Sequence, residues 1–449
     1  MKSPLALLLF LSASGLALGS FLWGQVWKLR ALEGIASSAP TELEAQLVDA
    51  QNQIDILEGD RETLMQDYLQ LLQEGETNAP ESIPPPTDLQ GRITALRGLP
   101  FNPPPLYLKL PRMDYDDAVS EAVTGWLEEE KLDAFNRSYA RLGLFQDQLN
   151  LWTVYSRLYA GESIVFFDPT QQSLLMTEGF DFDEIDASLR LVAPALSRML
   201  DQQHHQIGGP LVIPENDDQD LALAALSYGT AKWIEETILG PKETPTDGAE
   251  DVRDALYGIP DFLRARTRFL HQQGHAYVQA RLEAGRTLAE LYQNPPRTTR
   301  EILHPEAAPL PQPAWKDLPL PGEKWTELRA NTLGEWAIAH LLDTPEAAQG
   351  WRGDRYQTWF QSDEGDQLIW RLRFETEKAA QNFVTAFLPL VEAETFVPAI
   401  RESETSWLSE GPRSAKLWRP QPNTVHYIDA TSPPLRQRLE AAMSAAPGP

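Results

Sequence analysis

Seven histidines and no cysteine bound the chemistry open to this 449-residue chain. Without a thiol there is no cysteine nucleophile, no Cys-ligated zinc and no disulfide. His271 and His275 are one helical turn apart, the spacing that lets two imidazoles face one ion. No Asp, Glu or third His of evident partnership accompanies them in the sequence. His204 and His205 are adjacent, so on a helix their rings diverge by about 100° and do not readily share an ion. His304 precedes a proline and is expected to cap or bridge a loop. No G-x-S-x-G elbow and no Gly-rich phosphate loop occurs, which leaves serine-hydrolase and nucleotide chemistry without support.

Charge narrows the partners further. The chain has 65 acidic and 38 basic residues, a formal net charge of -27. Such a surface repels phosphate backbones, and no local basic patch compensates, so no nucleic acid is expected. Hydrophobic residues at 42% and charged residues at 23% describe a globular chain with room for two or three domains.

The elements that must position any site are mixed α and β. Pro105-Leu-Tyr-Leu-Lys-Leu alternates like a strand, and Ser163-Ile-Val-Phe-Phe-Asp-Pro followed by Ser173-Leu-Leu-Met predicts a hairpin around Asp168-Pro-Thr. Ile185, Leu189, Val192, Leu196 and Met199 recur at helical spacing, and a second helix is expected over Leu221 to Ile238, after the acidic loop Glu215-Asn-Asp-Asp-Gln-Asp. Further helices are predicted from Ile259 to Leu291. Beyond the prolines Pro309 to Pro321, Arg355-Tyr-Gln-Thr-Trp-Phe and Gln367-Leu-Ile-Trp-Arg-Leu-Arg-Phe alternate before a helix from Thr376 to Leu390, a strand-rich α+β pattern.

Several short motifs stand in a fixed order along this body: Leu96-Arg-Gly-Leu-Pro-Phe101, Phe166-Phe-Asp-Pro169, Gly274-His-Ala-Tyr-Val278, Pro295-Pro-Arg-Thr-Thr-Arg-Glu-Ile-Leu-His-Pro305, Leu333-Gly-Glu335 and Gly350-Trp-Arg-Gly-Asp-Arg-Tyr356. The series, over about residues 92 to 390, resembles bacterial zincin-like zinc metallopeptidase homologues. Their active helix reads roughly HELTHALQDQHF, and a second helix supplies an acidic ligand within A-L-x-E-G-[DE]-A. The resemblance implies a zincin-like, mainly helical body with a small sheet.

Zinc peptidases need two imidazoles one turn apart, a carboxylate base between them, and a third ligand that leaves one position for water. The segment Asp201-Gln-Gln203-His204 resembles the family's Q-D-Q-H and sets the register. Counting back, Pro194 stands for the first His, Ala195 for the base and Arg198 for the second His; in Ala225-Leu-Ser-Tyr-Gly-Thr-Ala231, Tyr228 stands for the acidic ligand. Pro and Ala have no side-chain donor, and Arg brings a positive charge that repels a cation. The resemblance therefore implies a degenerate member, with no catalytic residue, no metal and no cofactor. Arg198, Tyr228 and His204 remain as cleft-binding residues, Arg198 suiting an anionic group such as a carboxylate. A kink, or a helix that restarts, is predicted near Pro194.

Ahead of the body, Pro4 to Trp27 carries no charge, and Trp23, Trp27, Lys28 and Arg30 read as an interfacial belt with a polar exit. A cleaved signal peptide with Ala17-Leu-Gly19 at its end is the rival reading. Leu43, Leu47, Ala50, Ile54, Leu57, Arg61, Leu64, Tyr68 and Leu71 form a heptad seam expected to self-associate. Eight prolines between Pro80 and Pro105 predict a semi-rigid spacer.

The expected organisation is thus an anchor or signal segment at 1–30, a coiled coil at 41–75, a Pro-rich linker at 76–106, a degenerate metallopeptidase-like domain at 107–308 and an α+β subdomain at 322–435. The expected protein is a single-pass bacterial membrane protein, its body outside the cytoplasm, that is self-associated and binds a peptide or protein partner without cutting it. The enzyme alternative is a metal-dependent hydrolase with relocated ligands, for instance His204, or His271 and His275 with a nearby acid.

Overall fold

The computed structural model describes residues 87–445 apart from 126, 146–148, 162–163, 181–184, 242–257, 310 and 312. The expected anchor, the coiled coil and the start of the spacer lie outside the described residues. No helix among the described residues is long and apolar enough to cross a membrane.

In chain order the first half holds α1 (Thr87–Arg97), β1 (Leu106–Leu110), α2 (Arg112–Thr124), α3 (Glu129–Arg141), α4 (Leu151–Gly161), β2 (Val165–Asp168), β3 (Ser173–Thr177), α5 (Ile185–His205) and α6 (Asp217–Leu239). Then come α7 (Asp261–Glu283), α8 (Leu288–Gln293), α9 (Thr299–Leu303), β4 (Thr326–Asn331), α10 (Glu335–Leu341) and α11 (Pro345–Ala348). The remainder is β5 (Trp351–Gln361), β6 (Gly365–Phe374), α12 (Glu377–Thr395), β7 (Ile400–Ser403), β8 (Ser406–Glu410), β9 (Ser414–Gln421), β10 (Thr424–Ala430) and α13 (Pro433–Ala445). The architecture is α+β with two sheets among the described residues, one of three strands ordered β1-β3-β2 and one of seven ordered β4-β5-β6-β10-β9-β8-β7.

Local chemistry accounts for the boundaries. The β2–β3 hairpin turns on Asp168, whose Oδ1 accepts from the backbone N–H groups of Thr170 (2.8 Å) and Gln171 (3.1 Å). Strand β1 then adds to β3 in parallel. Helix α6 begins four residues before the apolar run that predicts it. Asn216 caps Gln219 N at 2.9 Å, and Asp217, Asp218 and Asp220 fill the first turn, where the helix dipole favours negative charge.

One expectation is corrected. Residues 87–97, expected as part of an extended spacer, form α1, because that stretch is free of proline and offers Leu89 and Ile93 for burial four residues apart. Of the two outcomes expected at Pro194, a kink or a restart, the restart does not occur: α5 runs through it from Ile185 to His205. Burial of Val192, Leu196 and Met199 on one face offsets the backbone bond that proline forfeits, each large side chain being worth about 1.5–3 kcal/mol. The 107–308 and 322–435 parts pack together through a shared core. Phe135 and Tyr139 of α3 join Tyr356, Leu368, Trp370 and Leu372 of the large sheet in a single apolar cluster. Alternation along β6 sends Ile369 to the opposite face, under Leu435, Leu439 and Met443 of α13.

Candidate functional site

Two glycines fix where α6 and α7 cross. A Cβ on Gly229 would overlap the backbone of Gly274, and one on Gly274 would overlap the carbonyl of Ala225. Only glycine allows this approach, which explains the glycine in both motifs. Helix α5 packs on α6 through Asp201, which is fully buried and accepts from Ser227 Oγ at 2.6 Å, Tyr292 Oη at 2.8 Å and Arg97 Nη2 at 2.5 Å. The carboxylate that sets the sequence register is thus the tie between the two site-bearing helices and α1.

Helices α5, α6 and α7, with Tyr159 of α4 and Val165 and Phe166 of β2, line a cavity of about 500 Å³; Pro194, Ala195, Arg198 and Tyr228 all line it, as do His271 and His275 of α7. Arg198 Nη1 donates to the Tyr228 hydroxyl at 2.6 Å, and its guanidinium lies 4.7 Å from the ring centroid of Tyr228. His271 stands edge-on to the same ring at 5.0 Å. Crowding by surrounding protein, then the charges of Arg198 and Lys232, hold the His271 pKa down to about 4, so the ring is neutral at pH 7 although its edge is open to the cavity.

The cavity is basic in an acidic protein. Its wall carries Arg190, Arg198, Lys232 and Arg266 against Glu235 alone. Glu235 is shared by Lys232, at 3.1 Å to each oxygen, and by Arg190 at 3.3 Å. Arg266 is buried and donates to the carbonyl of Leu211 at 2.7 Å. Among the described residues Arg198 has no carboxylate partner.

Zinc does not fit this place. The donor set there is a proline, an alanine, a guanidinium and a phenol, and Arg198 and Lys232 oppose a cation. His271 and His275 share the wall, but His275 Nε2 is 3.1 Å from Glu236 Oε2 and His271 packs on Tyr228. Among the described residues no group of three or more His, Asp or Glu stands in position to hold a metal ion. His204, expected in the cleft, stands elsewhere: it is exposed, and its Nε2 lies 2.8 Å from the carbonyl of Pro100. His204 follows Arg198 by six residues along α5, about 1.7 turns, so residue 204 falls on another face. Lys232, unremarked in the sequence, follows Tyr228 by one helical turn, which is the signal that places it on the same wall.

The remaining motifs meet in a second buried polar cluster. Asp354 accepts from the N–H groups of Leu333 (2.9 Å) and Gly334 (3.1 Å) and from the indoles of Trp351 (3.1 Å) and Trp370 (2.9 Å). Glu335 Oε1 pairs with His304 Nε2 at 2.8 Å, so His304 is the bridge between its loop and α10. Asp218 Oδ1 accepts from Thr299 N at 2.8 Å and Thr299 Oγ1 at 2.5 Å, and burial pushes its carboxyl up to about 7. Asp217 pairs with Arg329 at 2.5 Å and accepts from Tyr356. This cluster joins the helical half to the sheet rather than opening onto the basic cavity. A larger space of about 910 Å³ beside it gathers Arg281, Arg286 and Arg297 with Asp218, Glu290, Glu301 and Glu306, a mixed lining with no excess of positive charge.

Residues 323–436, the span of the large sheet, match a family described as a domain of unknown function (DUF8575). No curated protein matches the chain, and no solved structure does.

Proposed function

We propose that the chain is a membrane-anchored, non-catalytic relative of the zincin-like metallopeptidases that acts in the cell envelope by binding or scaffolding, its cleft rebuilt to hold an anionic group. The carrying observation is the convergence of Pro194, Ala195, Arg198 and Tyr228 on one cavity whose wall is basic. Positions that would serve a peptidase as ligands and base supply instead a guanidinium and a phenolic hydroxyl, 2.6 Å apart, facing a space large enough for a small ligand or a chain end. The surrounding scaffold, with its glycine crossing and its buried Asp201 tie, keeps that geometry rigid.

Metal analysis of the purified full-length chain, together with a peptide-cleavage assay, tests the reading. The expected result is substoichiometric zinc and no cleavage above background. Stoichiometric zinc that disappears on His271→Ala or His275→Ala, accompanied by hydrolysis, would replace binding with catalysis by relocated ligands.

A further inference from the structure

We infer that the basic cavity takes a single carboxylate carried on an apolar arm, with Arg198 and Tyr228 holding the carboxylate; the inference rests on the binding role proposed above and names its ligand class. Charge sets the valence. Lys232 is neutralised between Glu235 and Glu236 (3.1 and 3.6 Å), and Arg190 lies against Glu235 and donates to the carbonyls of Leu239 and Gly240 at 3.0 Å each. Arg266 is buried in the wall and donates to Leu211 O. Arg266 and Arg198 both lack a carboxylate partner among the described residues, but Arg266 is only 4% exposed, so half-buried Arg198 is the one of the two that a ligand reaches, and His271 is neutral at pH 7. One guanidinium calls for one negative charge rather than the two of a phosphate monoester.

Geometry sets the shape of the acid. The guanidinium is a planar fork that matches a carboxylate. The Tyr228 hydroxyl already accepts from Arg198, so its own proton is left to donate, and guanidinium and hydroxyl together present two donor groups 2.6 Å apart to one ligand head. The wall also has an apolar part, formed by Val165, Phe166, Leu191, Pro194 and Leu270, of which Leu191 is 39% exposed. An arm of several methylenes or one large aliphatic side chain would cover these residues. Two sources share that chemistry, the C-terminal residue of a polypeptide ending in an aliphatic side chain and a medium-chain fatty acid.

The test titrates the full-length chain with sodium octanoate, with N-acetyl-Ala-Ala-Leu, with the C-terminal amide of that peptide and with inorganic phosphate, read by ligand-observed NMR. At least one of the two carboxylates binds saturably, and the amide and phosphate do not compete with it. Preference for octanoate assigns the lipid source, preference for the acetylated peptide the polypeptide source. Arg198→Gln weakens binding by about tenfold or more, and Tyr228→Phe, which keeps the ring, by about fivefold. An unchanged thermal midpoint in Tyr228→Phe separates loss of a donor from loss of the fold. Equal binding of the amide, tighter binding of phosphate, or undiminished binding by Arg198→Gln overturns the inference. A metal-free, non-cleaving chain that ignores both carboxylates sinks this ligand class alone, whereas zinc-dependent cleavage sinks the binding role itself.

Discussion

Gly334 stands directly against the buried carboxylate of Asp218: a Cβ on the glycine would overlap the acid's Cβ, Cγ and Oδ1, and Gly334 has a φ of 89° that disfavours any other residue. This contact brings the loop after β4 onto the first turn of α6. The motif Leu333-Gly-Glu335 is therefore a joint between the sheet and the helix that carries Tyr228. Gly334→Ala should lower unfolding free energy by about 3 kcal/mol, the sum of left-handed strain and displacement of a buried acid. Denaturant titration checks it; a midpoint equal to the parent's would show that the joint can give.

Asp218 also makes stability depend on pH. Its folded pKa is raised from 3.8 to about 7, so between those values the folded chain holds a proton that the unfolded chain has released. Its contribution therefore declines as pH rises from about 4 to 7 and is level above that. Burial pushes Asp217, Asp354 and Glu335 the same way. Asp218→Asn should match the parent near pH 4 and exceed it at pH 8 by roughly 4 kcal/mol. A stability difference that does not change between those two pH values would refute the assignment.

Pro194 withholds an N–H from the middle of α5 while lining the cavity. Pro194→Ala should restore a helical hydrogen bond and raise stability by about 1–3 kcal/mol, and calorimetry would read it as a higher Tm. No gain would mean that the packing around the pyrrolidine ring outweighs the lost bond.

The Arg97–Asp201 pair is sealed, with side-chain exposures of 1% and 0%. Arg97→Ala should cost about 3–5 kcal/mol, because Asp201 is left charged and buried with only Ser227 and Tyr292 as donors. The double variant Arg97→Ala, Asp201→Asn should recover part of that loss in equilibrium unfolding. Additive losses would argue against a direct pair.

Much of the site's composition is legible before any fold is known. The helical stripe Val192, Leu196, Met199 marks the buried face of α5, and the register implied by the resemblance at Asp201 draws notice to Pro194, Ala195 and Arg198, whose side chains do not suit zinc. The run Thr87–Arg97 misleads, because flanking prolines dominate its composition while its own alternation of apolar residues is short.

The absence of thiol chemistry, the acidic balance, the helical and strand periodicities and the residue types at 194, 195, 198 and 228 belong to the sequence alone, since each is a property of the residues or of their local spacing. Only the tertiary structure decided that Tyr228 comes within 2.6 Å of Arg198, that Lys232 is neutralised while Arg198 is not, that His204 points elsewhere, and that Asp218, Gly334 and Asp354 form one joint. Those relations depend on how far apart helices cross and which charges burial brings together. Such distances follow from close packing at Gly229 and Gly274, and no periodicity along the chain encodes them.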